Sequence, residues 1–295
     1  VSDRWIKKQL GGVRLRDLGT KRVREWRGGI TSAGASPTQA NHALSILSAA
    51  LGCAMRDGAL PANPCSGVRK LPVMVARPRA LTPAEIEKVI GAMPKQRDRL
   101  LVALMGYGGL RPGEAIALRW DDVRDHLLIV DRSYTAGEVR PTKTGSRRTV
   151  EIAAPLRDDL DAFRPARPEV GALVCPNRFG TYVDLDNWRR RVWDNATEAS
   201  GVEATIYDLR HSFCSLLIHE GRSVPYVAAA MGHASGVTTL THYAHLFDEQ
   251  RLGTAKPMVD AIAEARRGVR NLYAPAEPRR LRQAAPVAGT RLAKR

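Results

Sequence analysis

The sequence predicts a mainly α-helical chain with a small antiparallel β-sheet (α+β), divided into a helical first domain and a larger mixed domain. Three observations carry this. Apolar residues recur at helical spacing in one segment after another, and only two short runs, Leu127 to Val130 and Thr149 to Ile152, read as strands. Leu71 to Arg79 (Leu-Pro-Val-Met-Val-Ala-Arg-Pro-Arg) has two prolines and little period, as an extended linker would. A capping signature then opens a new domain at Thr82-Pro83-Ala84-Glu85. The expected division is 1–76, a linker at 77–80, a second domain over 81–258, and a terminal helix and tail over 259–295.

In the first domain a helix starts near Thr20 and carries Lys21, Arg22, Arg24 and Arg27. Ser36 then caps a helix that has Pro37 in its first position. Ala43, Leu44, Ile46, Leu47, Ala50, Leu51, Ala54 and Met55 form its apolar face. Gly58 supplies the stop, and Pro61 with Asn63-Pro64 ends the element. In the second domain a helix near Arg97 to Tyr107 breaks at Gly108-Gly109, and Pro112 opens another with Glu114, Ile116, Ala117 and Leu118. Lys143-Thr144-Gly145-Ser146 is turn chemistry between the strands. Further helices are expected near Pro155–Phe163, Leu185–Ala199, Tyr207–Glu220, Val224–Met231 and Thr238–Leu246, and an amphipathic one near Asp260 to Arg267. Beyond Glu277 come six basic residues, two prolines and no acid, which predicts a disordered tail with a nonspecific electrostatic role.

The formal charge of +16, with 46 Lys/Arg against 30 Asp/Glu, attracts polyanions and favours salt-dependent binding to nucleic acid. Residues 1–77 alone hold thirteen Lys/Arg and four Asp/Glu. A ribosome-type RNA binder, or a basic surface with no specific partner, would share this composition. A membrane partner is disfavoured, because no basic segment is paired with a broad apolar helical face. No apolar run reaches the roughly 18 residues that span a bilayer, and no signal peptide is read at the start. A cytoplasmic protein, nucleoid-associated when on DNA, is expected. Cys53, Cys65, Cys175 and Cys214 have no CxxC spacing and no clustered histidines, so neither a zinc site nor a disulfide framework is expected. No metal or cofactor is predicted.

Two arginines, a histidine and a tyrosine in a basic chain form a set suited to one reaction. A phosphodiester yields only when its nonbridging oxygens are neutralised, an in-line nucleophile is supplied and the departing oxygen is protonated. Arginine suits the first task, since its planar fork stays charged and meets two oxygens at once. Arg111 follows Gly108-Gly109-Leu110 at a helix entry, where backbone amides also favour anions. Arg210 lies among Leu209, Phe213 and Leu216, a partly buried position that demands an anionic partner, either a substrate phosphate or a carboxylate such as Glu114 or Asp208. Tyr243 is a weak nucleophile at neutral pH unless positive charge gathers near it.

These blocks resemble the tyrosine recombinase family, the phage-type integrases. Gly109-Leu110-Arg111-Pro112-Gly113-Glu114, Tyr207-Asp208-Leu209-Arg210-His211-Ser212-Phe213, and Gly232-His233 followed by Thr238-Thr239 and Tyr243-Ala244-His245 match in family order. Lys143 to Val150 resembles the family's β-hairpin lysine segment, and Ser36 to Pro64 its core-binding helices, so the likeness spans about residues 5 to 250. It implies a helical core-binding domain joined to a catalytic domain of the DNA breaking-rejoining fold. It further implies that Arg111 and Arg210 bind the scissile phosphate, that His233 donates to a nonbridging oxygen, and that Lys143 protonates the leaving 5′ oxygen. Tyr243 would form a 3′-phosphotyrosyl link, and Glu114 would support the first arginine. Lys21, Arg22, Arg24, Arg27, Arg147 and Arg148 are the expected DNA contacts. The implied partners are double-stranded attachment sites held in a clamp, a homotetramer on two duplexes, and excisionase or DNA-bending accessory proteins.

Two departures bear on this. Tyr207 stands where the family carries histidine, and a phenol is a poorer base near pH 7 than imidazole. His211 follows Arg210 but points about 100° away on a helix, so it is not assigned the missing role. The opening Val1-Ser2-Asp3-Arg4-Trp5 reads as the interior of a core-binding helix, so either a truncated chain or a short member without an arm-binding domain is expected. Three readings remain: a site-specific recombinase of a phage or other mobile element, a catalytically degenerate DNA-binding homologue, and a type IB topoisomerase-like relaxing enzyme.

Overall fold

The structure, a computed structural model, describes residues 2–73, 78–142, 145, 147–252 and 257–273. Its contacts divide the chain into two units, Val1–Ala76 and Arg77–Arg295. In the first, a π-helical turn over Ser2–Lys7 runs into α1 (Lys8–Leu10), followed by α2 (Thr20–Ser32) and α3 (Pro37–Arg56). Helix α3 starts where local chemistry dictates. The Ser36 hydroxyl accepts from the Gln39 amide at 3.2 Å, and the Gln39 side chain accepts from the Ser36 amide at 3.0 Å. Such a cap contributes about 1 kcal/mol. Val23, Trp26 and Ile30 of α2 follow helical spacing and share one core with Leu44, Leu47 and Leu51 of α3 and with Trp5. The buried Trp26 indole donates to the Trp5 carbonyl at 2.9 Å, so no polar group is stranded there. Lys21, Arg22 and Arg24 are exposed on the outer face of α2, whereas Arg27 is half-buried and gives its guanidinium to the Arg69 carbonyl.

The second unit begins with α4 (Pro83–Ala92), capped by Thr82 and Glu85, and α5 (Gln96–Gly106), which is buried from Leu100 to Gly106 and forms the central helix. After α6 (Pro112–Ala117), β1 (Leu127–Val130) pairs antiparallel with β4 (Arg148–Glu151), placing Leu127 opposite Glu151 and Val130 opposite Arg148. A second hairpin pairs β2 (Arg132–Thr135) with β3 (Glu138–Pro141). The sequence predicts one sheet, but the structure has two two-stranded sheets. The second lacks an apolar run because β3 is exposed throughout and β2 only half-buried. Its Ala136-Gly137 turn takes positive φ at both residues, the geometry that matches strand twist in a tight hairpin.

Helix α7 (Ala154–Phe163) precedes a helical rod made of α8 (Leu185–Trp188), a π turn at Arg189–Trp193 and α9 (Asp194–Ser200). The sequence predicts a plain helix here. Trp188 and Trp193, five residues apart, would lie on different sides of an α-helix, and the wider π turn lets both rings reach the core, 6.3 Å apart. Then come α10 (Ile206–His219), α11 (Val224–Met231), α12 (Gly236–Leu252) and α13 (Met258–Tyr273). Helix α13 packs on α4, with Arg266 bonded to Glu87 at 3.0 Å and to Asp159 at 2.5 Å. Leu104, Leu110, Ile116, Leu128, Leu209 and Phe213 form the middle of the core. Among the described residues no helix is long and apolar enough to cross a membrane. Part of the expected linker, and the whole basic tail beyond Glu277, lie outside the described residues.

Candidate active site

Two glycines shape the site. Gly109 has φ of 62°, and a Cβ there would run into the Phe213 ring, so only glycine makes this turn between α5 and α6. Gly232, with φ of 59°, ends α11 in the left-handed conformation. The carbonyl oxygens beside these turns face inward and meet arginines. Arg210 of α10 donates to the Gly109 and Met231 carbonyls, and Arg111 donates to the Gly232 carbonyl at 3.2 Å.

Glu114 sits at the centre, its side chain only 1% exposed. It caps its own helix by accepting from the Arg111 amide at 2.8 Å, with a second oxygen 2.8 Å from the Arg111 guanidinium. From the other side Arg148 of β4 forms a two-pronged pair with it at 2.9 and 2.7 Å, and Arg210 lies 4.0 Å away. Burial alone would push the Glu114 carboxyl up, but the Arg148 hydrogen bonds and charge, helped by Arg111, hold it down at about 2. Burial and the nearby Arg111 charge push the Arg210 guanidinium down to about 9, against the pull of Glu114. Three guanidinium groups thus share one carboxylate among the described residues, leaving two formal positive charges in a half-enclosed place. Backbone carbonyls accept from these guanidiniums but carry no charge, so an excess of positive charge remains around Glu114.

His233 follows Gly232. Its Nδ1 is 2.8 Å from the hydroxyl of the fully buried Thr239. Burial, then the Arg210 and Arg111 charges, lower the imidazole to about 4, so it is neutral at pH 7. A cleft lined by Arg124, Arg147, Arg148, Gly232 and His233 opens beside it. Tyr243, on α12, is 2% exposed, and its hydroxyl is hydrogen-bonded to His211 Nδ1. Burial and the neighbouring Cys214 thiol push its phenol far above the ordinary value, while the Arg210 charge works the other way. The Arg210 charge therefore acts on both His233 and Tyr243.

The structure brings Arg111, Arg210, Glu114 and His233 into one cluster, with Tyr243 on its α10 side. Other residues fall differently. Tyr207 is 55% exposed and makes no side-chain hydrogen bond among the described residues, so nothing draws its phenol into the cluster. Arg147 is exposed at the cleft. Arg148 corrects the expectation of a DNA contact: strand alternation turns it inward, and its donors go to Glu114 and, at 3.0 Å, to the Ala230 carbonyl. Lys143 lies outside the described residues. The sequence alone does not pair His211 with Tyr243 or Thr239 with His233. The doublet Thr238-Thr239 is plain in the sequence, but nothing local shows which hydroxyl turns in. Among the described residues no group of three or more His, Cys, Asp or Glu side chains could hold a metal ion.

The model of the phage integrase family matches residues 79–250. The ICEBs1 integrase of Bacillus subtilis (strain 168) is 26% identical over 282 residues, covering 89% of this chain and 75% of that one. Transposase A from transposon Tn554 of Staphylococcus aureus is 29% identical over 198 residues, covering 62% of this chain. The chain thus spans three quarters of the first relative's length but only about half, 53%, of the second's. Among solved structures, the Tn1549 transposon integrase in complex with transposon right end DNA aligns with a TM-score of 0.68 at 20% identity, over 83% of this chain and 87% of that one. A lambda integrase tetramer bound to a Holliday junction aligns with a TM-score of 0.62 at 22% identity, over 80% and 66%. These two show a shared fold. With the family match covering more than half of its residues, this chain belongs to the phage integrase family, the tyrosine recombinases.

Proposed function

We propose that this protein is a site-specific DNA recombinase that cuts and rejoins DNA through a 3′-phosphotyrosyl intermediate. The observation that carries this reading is the excess of guanidinium over carboxylate around Glu114, beside a neutral imidazole and a buried phenol. A phosphodiester monoanion would offset one of the two uncompensated positive charges. Arg111 and Arg210 would take its nonbridging oxygens, while Glu114 and Arg148 hold the two in place. His233 would donate from Nε2 to the same phosphate, its Nδ1 fixed by Thr239. Tyr243 would attack the phosphorus, and Lys143 would protonate the departing 5′ oxygen, as the family likeness implies. The covalent link keeps the energy of the broken bond, so rejoining needs neither ATP nor metal. Relatives named as an integrase and a transposase support a role in integrating or excising a phage or other mobile element. The exposed Lys21, Arg22, Arg24 and Arg147 would meet phosphates of double-stranded DNA, while most of the affinity is salt-dependent. A homotetramer on two duplexes is the proposed working assembly, by analogy with the lambda integrase tetramer.

A nicked suicide duplex tests the reaction, because loss of a short strand beyond the nick traps the cut state. The repeat flanking the encoding element supplies the site. Wild-type protein should yield an SDS-resistant DNA adduct, and Tyr243→Phe should give a gel shift and no adduct. A gel shift with no adduct from wild type would favour the binding-only homologue. Relaxation of plasmid lacking the site would favour the topoisomerase reading. Thr239→Val should lower the cleavage rate roughly 2- to 10-fold without changing binding, since one hydrogen bond orienting His233 is lost. An unchanged single-turnover rate would remove Thr239 from that role.

A further inference from the structure

We propose that His211 is the base that accepts the Tyr243 proton when the phenol attacks DNA, taking a place in the reaction that Tyr207 does not fill. The inference rests on the recombinase reading above and assigns one of its proton transfers. Three observations support it. His211 Nδ1 is hydrogen-bonded to the Tyr243 hydroxyl, the atom that would become the nucleophile. Tyr207, where the family carries histidine, stands exposed and makes no side-chain hydrogen bond among the described residues. The rotation of about 100° between neighbouring helix positions points Arg210 at the Gly109 and Met231 carbonyls and His211 at α12, so adjacent residues of α10 would serve the phosphate and the nucleophile.

The charges around His211 suit the role. Burial, and the charges of Arg210 from its own helix and His242 from α12, lower its imidazole, while Asp208 raises it. Cys214, one turn further along α10, touches the tyrosine rather than the histidine. These influences favour the neutral ring, and in the tautomer protonated at Nε2 its Nδ1 accepts the hydrogen bond from the phenol. Such a proton acceptor matters because the Tyr243 phenol is far from ionised by itself.

The Tyr243 O–H bond breaks and its proton passes to His211 Nδ1, while the oxygen lone pair forms the bond to phosphorus. The bond from phosphorus to the 5′ oxygen breaks with its electrons on that oxygen, which takes a proton from Lys143. On rejoining, the 5′ hydroxyl attacks phosphorus and gives its proton back to the neutral Lys143, while the bond from phosphorus to the Tyr243 oxygen breaks and the imidazolium returns its proton to that oxygen.

The test is single-turnover adduct formation by the full chain on the nicked suicide duplex, and on the same duplex with sulfur in place of the bridging 5′ oxygen. A sulfur leaving group needs no proton, so that substrate relieves a defect in Lys143 but not one in a base. His211→Ala and His211→Asn should each slow cleavage about 100-fold or more on both substrates, with gel shift and thermal melting retained. Wild-type cleavage should fall only in acid, below the ordinary histidine range, and both variants should lose that inflection. Asparagine can accept the tyrosine hydrogen bond but not its proton. Wild-type rates for His211→Asn would reduce the residue to positioning and overturn the proposal. So would a rate in His211→Ala equal to or above wild type, or full rescue of both variants by the sulfur substrate. If wild-type protein gives no Tyr243-dependent adduct, the recombinase reading fails and this assignment falls with it.

Discussion

An Arg210→Ala protein is expected to hold DNA and fail to cut it. The guanidinium is buried among the Gly109 and Met231 carbonyls and Glu114, so its direction is fixed before any ligand arrives. Preorganised charge of this kind acts where charge develops during the reaction, and removing one such donor costs about 100- to 1000-fold in rate. Binding draws on many phosphate contacts and should fall little. Arg111→Ala should behave alike and is the cleaner variant, because its side chain is 21% exposed and its loss strands fewer buried groups. Arg111→Lys keeps the charge but not the fork, and should recover only part of the rate. Single-turnover cleavage alongside gel shifts decides the matter. Near-normal cutting by either alanine variant would take that arginine out of the catalytic set.

Glu114→Ala is expected to be the most destabilising change at the site. It removes the carboxylate that holds Arg111 and Arg148 and faces Arg210, leaving like charges together in a buried place. Breaking a buried ion pair on one side costs about 3–5 kcal/mol. The same residue sets an acid limit. Its carboxyl lies at about 2 in the fold against 4.5 ordinarily, so its contribution is complete above pH 4.5 and is lost as pH falls toward 2. A shift of that size corresponds to roughly 3 kcal/mol. Urea unfolding across that window should show wild type losing stability faster than Glu114→Gln, which has no proton to gain. Parallel curves would mean that the arginine cluster does not depend on the Glu114 charge.

What the sequence made legible was mostly local. The cap at Ser36 and the box at Thr82 need only residues a few places apart, whereas the bond from the Arg111 amide to Glu114 is seen only in the structure. The strands were legible as short runs, Leu127 to Val130 and Thr149 to Ile152, the second of which the structure places one residue earlier, at Arg148–Glu151. The β2–β3 hairpin was not, because a strand exposed on both faces carries no period to read. Arg147 and Arg148 look alike in sequence, and only the register of β4 sends one outward and the other to Glu114. Helix geometry alone points His211 away from Arg210. That angle is correct, yet the packing of α10 on α12 gives the ring a partner that no spacing rule could name.

The proposition beneath all of this is that the phenol at position 243 becomes joined to DNA. Protease digestion of the trapped adduct, followed by mass spectrometry of the nucleotide-bearing peptide, tests it most directly. The expected product is the peptide containing Tyr243, linked through its oxygen to a 3′ phosphate, with a free 5′ hydroxyl on the released strand. DNA found on another residue, or attached through a 5′ phosphate, would contradict the account.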